Sequence, residues 1–259
     1  MQFIHLKVLS IYRECFSRQA LLTVFAILML AIALPTATLL FLDDRTWREV
    51  AIWAKPLKFM LSTAAFSITT SWFVGHLPQE KQRTSTVHCL AWVIVITSTF
   101  EVGYITLQAA LGEGSHHNVS DKLHASLFGL MAIAAVALTA TQAILAALIW
   151  RYCPERDSVF VRAVMVGLVL TFCLATASGF ILGGQQPPAG SGLPIVGWHM
   201  TQADARPAHF LGVHAHQLIP LWDIFAARFF GNYASQALAV GSSLYVILWT
   251  LGLFLYVIP

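Results

Sequence analysis

An all-α bundle of seven transmembrane helices is the fold class that this sequence predicts, and three observations lead to it. Hydrophobic residues make up 58% of the 259 residues and charged residues only 10%, whereas a soluble domain usually carries about 25% charged residues. The mean hydropathy is +0.72. Seven long apolar runs alternate with charged or turn-rich segments, and each run is near or above the ~20 residues that a helix needs to cross hydrocarbon. Because these runs are continuous, a β-barrel with alternating residues is disfavoured.

The seven runs define the predicted spans of one integral membrane domain, residues 1–259. The first run continues through Leu42, longer than the apolar core of a signal peptide, so we expect an uncleaved first helix. The predicted spans are residues 20–41, 50–75, 87–111, 123–150, 159–183, 208–230 and 235–257.

Charge placement predicts the orientation of the helices. With the N-terminus in the cytoplasm, nine lysine and arginine residues lie on the inner side and four to six on the outer side. The positive-inside rule therefore favours a cytoplasmic N-terminus and a periplasmic C-terminus. The basic residues lie mainly between spans and form no nucleic-acid face. The expected partners are the lipid bilayer and a small-molecule ligand, and the sequence does not indicate an oligomeric state.

Polar residues recur at seven-residue steps on three of the predicted helices. On a helix, residues seven apart lie within about 20° of one line. A polar stripe inside hydrocarbon should face protein or water, so we expect these three helices to turn their stripes toward one another. The stripes are Lys55, Ser62 and Thr69 on the second helix, Glu101 and Gln108 on the third, and His209, His216 and Asp223 on the sixth.

Ionisable groups from the three helices reach a similar depth in the outer half of the membrane. Glu101 and His216 lie roughly 12–15 Å from the outer ends of their helices at ~1.5 Å rise per residue. We therefore predict one buried Glu/His/Lys site near the periplasmic side, with Glu101 and His216 as its reacting groups. The predicted ligand-binding groups around them are Lys55, Lys58, Gln108, Arg206 and Asp223. Two structural alternatives stay open: the lysines snorkel to the headgroups, and Glu101 is a protonated carboxyl bonded to a neighbouring helix.

Histidines cluster on the outer side, where seven of the ten lie. No two histidines of the sixth helix have the i,i+4 spacing of a chelating pair, so a metal would need ligands from several helices. Carboxylate with imidazole suits iron, zinc or copper, and facing histidines suit haem, which would be non-covalent because the chain has no CxxCH motif. The predicted metal ligands are Glu101, His116, His117, His209, His214 and His216.

Three segments together resemble a group of bacterial polytopic membrane proteins that have no established activity. The resemblance covers the second to sixth spans and implies an inner-membrane location, but it implies no catalytic roles. The segments are Trp53-Ala54-Lys55-Pro56-Leu57-Lys58-Phe59, the stretch from Glu101 through Gln108 to Ser115-His116-His117-Asn118, and the stretch from Asp204-Ala205-Arg206-Pro207 to His214-Ala215-His216-Gln217.

The leading functional hypothesis is an inner-membrane protein whose buried site binds a metal, haem or a small polar ligand, with redox chemistry as one candidate activity. A proton-coupled transporter or channel is the first alternative, with Glu101, His216 and Asp223 as proton carriers. A structural subunit of a membrane complex is the second, with the polar stripes as hydrogen-bonding contacts between helices.

Overall fold

Helices dominate the protein in the computed structural model, which describes residues 10, 12–190, 192–193, 197–199 and 203–257. A short helical segment over residues 12–18 precedes seven long helices. The long helices are α1 (Ala20–Leu42), α2 (Ala54–Val74), α3 (Ser85–Leu111), α4 (Lys122–Tyr152), α5 (Val159–Gly184), α6 (Arg206–Phe230) and α7 (Ala234–Val257). The prediction of an all-α bundle is confirmed.

The start of the second helix differs from the prediction. Residues 50–53 do not belong to α2, because Thr46–Trp47 (β1) and Val50–Ala51 (β2) pair as an antiparallel hairpin. Its two turn residues, Arg48 and Glu49, both adopt positive φ angles of 52° and 64°. Two successive positive φ values are typical of a type I′ turn, which matches the twist of a tight hairpin. The other six helices begin and end within two residues of the predicted spans.

Five stretches of the described chain are long and apolar enough to cross a membrane, by length and composition. They are Ala20–Leu42, Ser85–Leu111, Lys122–Tyr152, Val159–Gly184 and Arg206–Phe254, the last of which contains α6 and most of α7. Helix α2 is not among them, since Lys55, Lys58 and several hydroxyl residues lower its hydropathy. The count of seven spans therefore stays a prediction.

Large apolar side chains cover much of the outside of the bundle while polar ones lie within it. Leu34 is 72% exposed and Phe41 82%, whereas Gln142 and Thr171 are fully buried. A soluble monomer rarely exposes so much contiguous apolar surface. This distribution suits a bundle that is surrounded by lipid.

Helices α5 and α6 approach each other more closely than side chains would allow, because glycines lie at their contact. A Cβ atom on Gly212 would lie 2.7 Å from the backbone nitrogen of Ala175. A Cβ on Gly167 would lie 2.9 Å from the carbonyl oxygen of Ala215 and from the Cα of His216. Small residues at such contacts let helix backbones pack directly in membranes. This contact sets the rotation of α6 and thereby decides which of its histidines face the rest of the bundle.

Candidate functional site

A buried lysine lies at the centre of the candidate site. Lys55 occupies the second position of α2, and its Nζ lies 2.8 Å from Ser115 Oγ and 2.9 Å from His116 Nδ1. Ser115 and His116 belong to the loop between α3 and α4, so the contact joins the start of one helix to the loop that follows another. Pro56 is tolerated here because the first turn of a helix needs no N–H partner. The ammonium is thus held by a hydroxyl and an imidazole of the protein.

When Lys55 is charged, its contact with His116 decides which ring nitrogen of the histidine accepts a hydrogen bond. An ammonium group has only donors, so Nδ1 must accept and the proton of the neutral ring lies on Nε2. Burial, with Lys55, His117 and His209 nearby, holds the pKa of the His116 imidazole well below its ordinary value of 6.5. The ring packs between Phe59 and Phe128, with centroids 6.1 and 6.0 Å away.

Acidification should destabilise the protein through His116. The unfolded chain takes up a proton below about pH 6.5 while the folded imidazole stays neutral, so stability is full above that pH and falls as pH drops below it. We expect a lower melting temperature at pH 5 than at pH 7.5, measured by circular dichroism in detergent, and a smaller difference in His116→Gln. The control, His88→Gln, changes an exposed side chain and should keep the wild-type difference; equal pH dependence in all three proteins would contradict the prediction.

Two further cations and two acids lie around the lysine. Lys55 interacts electrostatically with Lys58, Glu101 and Arg206, and Lys58 interacts with Arg206 and Asp204. The structure therefore brings together four of the predicted groups, Lys55, Lys58, Glu101 and Arg206. Cations outnumber acids, so the site has an excess of positive charge.

Asp204 is the fully buried partner of Arg206, and the sequence analysis did not single it out. Its Oδ1 accepts from Arg206 Nε at 2.8 Å, and its Oδ2 accepts from Arg206 Nη2 at 2.7 Å and from the backbone N–H of His199 at 2.9 Å. Burial raises the pKa of Asp204, but the bonds with Arg206 and the backbone amides outweigh burial and lower it below its ordinary value. Arg206 was predicted to hold an anionic ligand, yet its guanidinium already donates to this carboxylate through Nε and Nη2. The signal that sequence reasoning missed is the two-residue spacing from Asp204 to Arg206.

One face of α3 carries buried polar atoms that no described group satisfies. Glu101 Oε1, Tyr104 OH and Gln108 Oε1 lack a hydrogen-bond partner among the described residues. The three positions share one helix face, as the i, i+3 and i+7 spacing predicts. Tyr104 packs in a cluster with Phe59, whose ring also contacts His116, so this face adjoins the Lys55 site. Buried polar groups are nearly always satisfied in native proteins, so such atoms point to an additional partner.

Two predicted histidines of α6 contact different neighbours. His209 Nδ1 lies 3.1 Å from Ser178 Oγ on α5, and His209 also interacts electrostatically with His116. His214 Nε2 lies 3.3 Å from Ser62 Oγ on α2, and its Nδ1 bonds to Gln217. Gln217 Nε2 in turn donates to Thr69 Oγ1 at 3.4 Å. The predicted Ser62 and Thr69 stripe of α2 therefore does face α6, through His214 and Gln217.

His216 and Glu101 were predicted to act together, but no hydrogen bond or ion pair joins them among the described residues. The His216 ring is fully buried against α5 and α2: Nδ1 lies 3.2 Å from Thr171 Oγ1, and the ring makes an edge contact with Phe66 at 4.8 Å between centroids. The physical reason is the close glycine contact at Gly167, which turns this face of α6 toward α5. The pairing of Glu101 and His216 as reacting groups therefore has no geometric support.

Asp223 has surroundings that differ from the predicted ligand site, whereas Gln108 stays on the same face of α3 as Glu101. Asp223 lies four turns beyond His209 and interacts with Arg162 near the start of α5, at the opposite end of the bundle from Lys55. The seven-residue repeat keeps Asp223 on the same helix face as His209, but its distance along the helix axis is too large for both to reach one site. Gln108 is buried, and its Oε1 belongs to the unsatisfied face of α3.

The predicted metal ligands do not assemble. Among the described residues, no three histidine, cysteine, aspartate or glutamate side chains converge in a way that would hold one metal ion. His117 adopts a positive φ of 55° and packs on Phe128 at 5.0 Å, while His116 uses Nδ1 for Lys55. His209, His214 and His216 point to three different partners. Binding of non-covalent haem stays a prediction.

Comparison of the chain with protein-family models, with curated proteins and with solved structures finds no match. The site is therefore interpreted from its own geometry.

Proposed function

We propose that this chain is a multi-pass protein of the bacterial inner membrane that binds a small anionic ligand, with a carboxylate as the favoured group, at Lys55. Seven helices would cross the membrane, with the N-terminus in the cytoplasm and the site near the periplasmic side. Five apolar stretches of spanning length support the membrane location. Charge bias along the chain supports the orientation.

The observation that carries the proposal is the juxtaposition of a buried ammonium with unsatisfied polar atoms. Lys55 has two neutral partners, Ser115 and His116, and shares its surroundings with two further cations. Glu101 compensates only part of this positive charge, and an incompletely compensated buried charge is costly, so a bound anion would stabilise the arrangement. Tyr104 OH would donate to such a ligand, and the free oxygens of Glu101 and Gln108 would accept from its hydroxyl or amino group.

Charge also favours an anion over a metal ion. A metal cation would enter a site that already contains Lys55, Lys58 and Arg206 against Glu101 and Asp204. The positive charges of the site repel a further cation and attract an anion. The transporter hypothesis has weaker support, because its predicted carriers Glu101, His216 and Asp223 contact separate parts of the bundle.

Ligand-induced stabilisation tests this function. The purified protein in detergent is titrated with acetate, lactate, glycine and inorganic phosphate while its melting temperature is measured. A ligand at about 100 times its Kd stabilises by about 2.7 kcal/mol, which for a chain of this size is a rise of about 5–10 °C. We expect lactate or glycine to exceed acetate, because each adds a donor for Glu101 and Gln108.

Lys55→Met should abolish the rise, because methionine keeps the length of the side chain without its charge. Lys122→Met is the matched control, since Lys122 is an exposed lysine at the start of α4 and should leave the rise intact. No rise with any of the four probes, or an equal rise in both variants, would refute the proposed function.

A further inference from the structure

A cavity lies at the end of the bundle opposite Lys55. It has a volume of about 80 Å³ and opens between the α2–α3 connection and the end of α4. The apolar part of its lining is Leu77, Val87 and Leu148, and the polar part is Lys81, Thr84, Thr86 and Tyr152. The cavity is thus apolar on one side and carries a cation and three hydroxyl residues on the other.

Basic side chains without acidic partners surround this cavity. Lys81 Nζ lies 4.6 Å from the centre of the Tyr152 ring, and the Arg151 guanidinium lies 5.4 Å from the same ring. Within the described part of the chain, neither of these cations nor the neighbouring Arg83 forms an ion pair, although Glu80 is adjacent in sequence. This local field attracts a negatively charged group.

The cavity lies at a level where a membrane surface would meet the protein. Trp150, 61% exposed, is two residues before Tyr152, and the Arg156 guanidinium lies over its ring at 5.8 Å. Exposed tryptophan with nearby arginine and lysine is typical of the membrane–water interface. On the apolar side, Ile144 is 47% exposed and lies one turn before Leu148. An acyl chain would therefore find apolar surface directly beside the cavity.

We propose that this cavity binds the phosphate headgroup of an anionic phospholipid. The Lys81 ammonium and the hydroxyl of Thr86 would donate to the phosphate oxygens, and Arg151 would add a long-range attraction, whereas the Thr84 hydroxyl already donates to the Lys81 carbonyl at 2.8 Å. The acyl chains would lie against the apolar surface of α4 toward Ile144. Basic pockets between helices at a membrane surface bind anionic lipid headgroups through the same chemistry. Free phosphate shares the headgroup chemistry but lacks the acyl contacts.

Binding of short-chain lipids to the delipidated full-length protein tests the proposal. Native mass spectrometry compares dihexanoyl phosphatidylglycerol, dihexanoyl phosphatidylcholine and inorganic phosphate. We expect phosphatidylglycerol to bind most tightly, and Lys81→Gln to weaken it about five-fold, since one lysine near the surface contributes about 1 kcal/mol. Thr86→Val should also weaken binding, because it keeps the side-chain shape and removes a donor.

Lys122→Gln is the control and should bind phosphatidylglycerol like the wild type, because Lys122 lies at the other end of α4. Equal affinity for the two lipids, or wild-type affinity in both Lys81→Gln and Thr86→Val, would overturn the proposal. If inorganic phosphate binds as tightly as phosphatidylglycerol, the cavity binds a free anion and the proposal of a lipid site is overturned. None of these results depends on a ligand at Lys55, so the two sites are tested separately.

Discussion

Asp204→Ala is expected to destabilise the protein by about 3 kcal/mol, because it removes a fully buried, fully hydrogen-bonded carboxylate and leaves the partly buried Arg206 guanidinium without its partner. Asp204 is fully buried and accepts hydrogen bonds from four N–H donors, which are Arg206 Nε, Nη2 and N and the backbone N of His199. Its loss also removes one of two acids from a cluster of three cations. The melting temperature in detergent should fall by about 6–12 °C.

A double substitution separates the ion pair from simple loss of packing. Asp204→Ala combined with Arg206→Met removes both charges, and it should recover much of the stability that Asp204→Ala loses, because removing both partners avoids an unpaired charge. Asp44→Ala is the matched control at an exposed aspartate of the α1–α2 connection. If Asp204→Ala and Asp44→Ala have the same melting temperature, or if the double variant has a lower melting temperature than Asp204→Ala, the ion pair does not stabilise the site.

Gly212→Ala is expected to produce the second large effect, a loss of about 2 kcal/mol through overpacking. The added Cβ would lie 2.7 Å from the nitrogen and 2.9 Å from the Cα of Ala175, and 2.8 Å from the carbonyl carbon of Leu174. All three atoms belong to the α5 backbone, so no side-chain rotation can relieve the contact and the helices must separate. Separation would also disturb the contacts of His216 with Thr171 and of His209 with Ser178.

Gly103→Ala provides the comparison for that substitution. Gly103 also lies within a long helix, but nothing lies within 4 Å of its added Cβ. Alanine has the higher helix propensity, so this variant should match or exceed the wild type by up to about 1 kcal/mol. Melting temperatures of the three proteins decide the matter: Gly212→Ala at or above the wild type would mean that the close α5–α6 contact is not required.

The candidate site shows how far residue patterns lead. Lys55, Lys58 and Glu101 lie near one another as predicted, because each lies near a helix end or on a polar stripe whose depth follows from the helical rise. His116 reaches Lys55 from the loop after α3. Ser115 was visible only as part of a motif, since a serine in a loop carries no signal of its own. The buried role of Asp204 was missed because Arg206 was interpreted as a ligand group before its own partner was considered.

The lengths and ends of the helices are properties that the chain determines locally. Continuous apolar runs and the charged breaks between them place six of the seven helices, because hydrophobic length and helix termination depend on neighbours along the sequence. The rotation of each helix about its axis is different, because it depends on packing against other helices. By its spacing alone, the stripe of His209, His216 and Asp223 could face either α3 or α5. The close contacts at Gly167 and Gly212 orient it toward α5. His214 then faces α2.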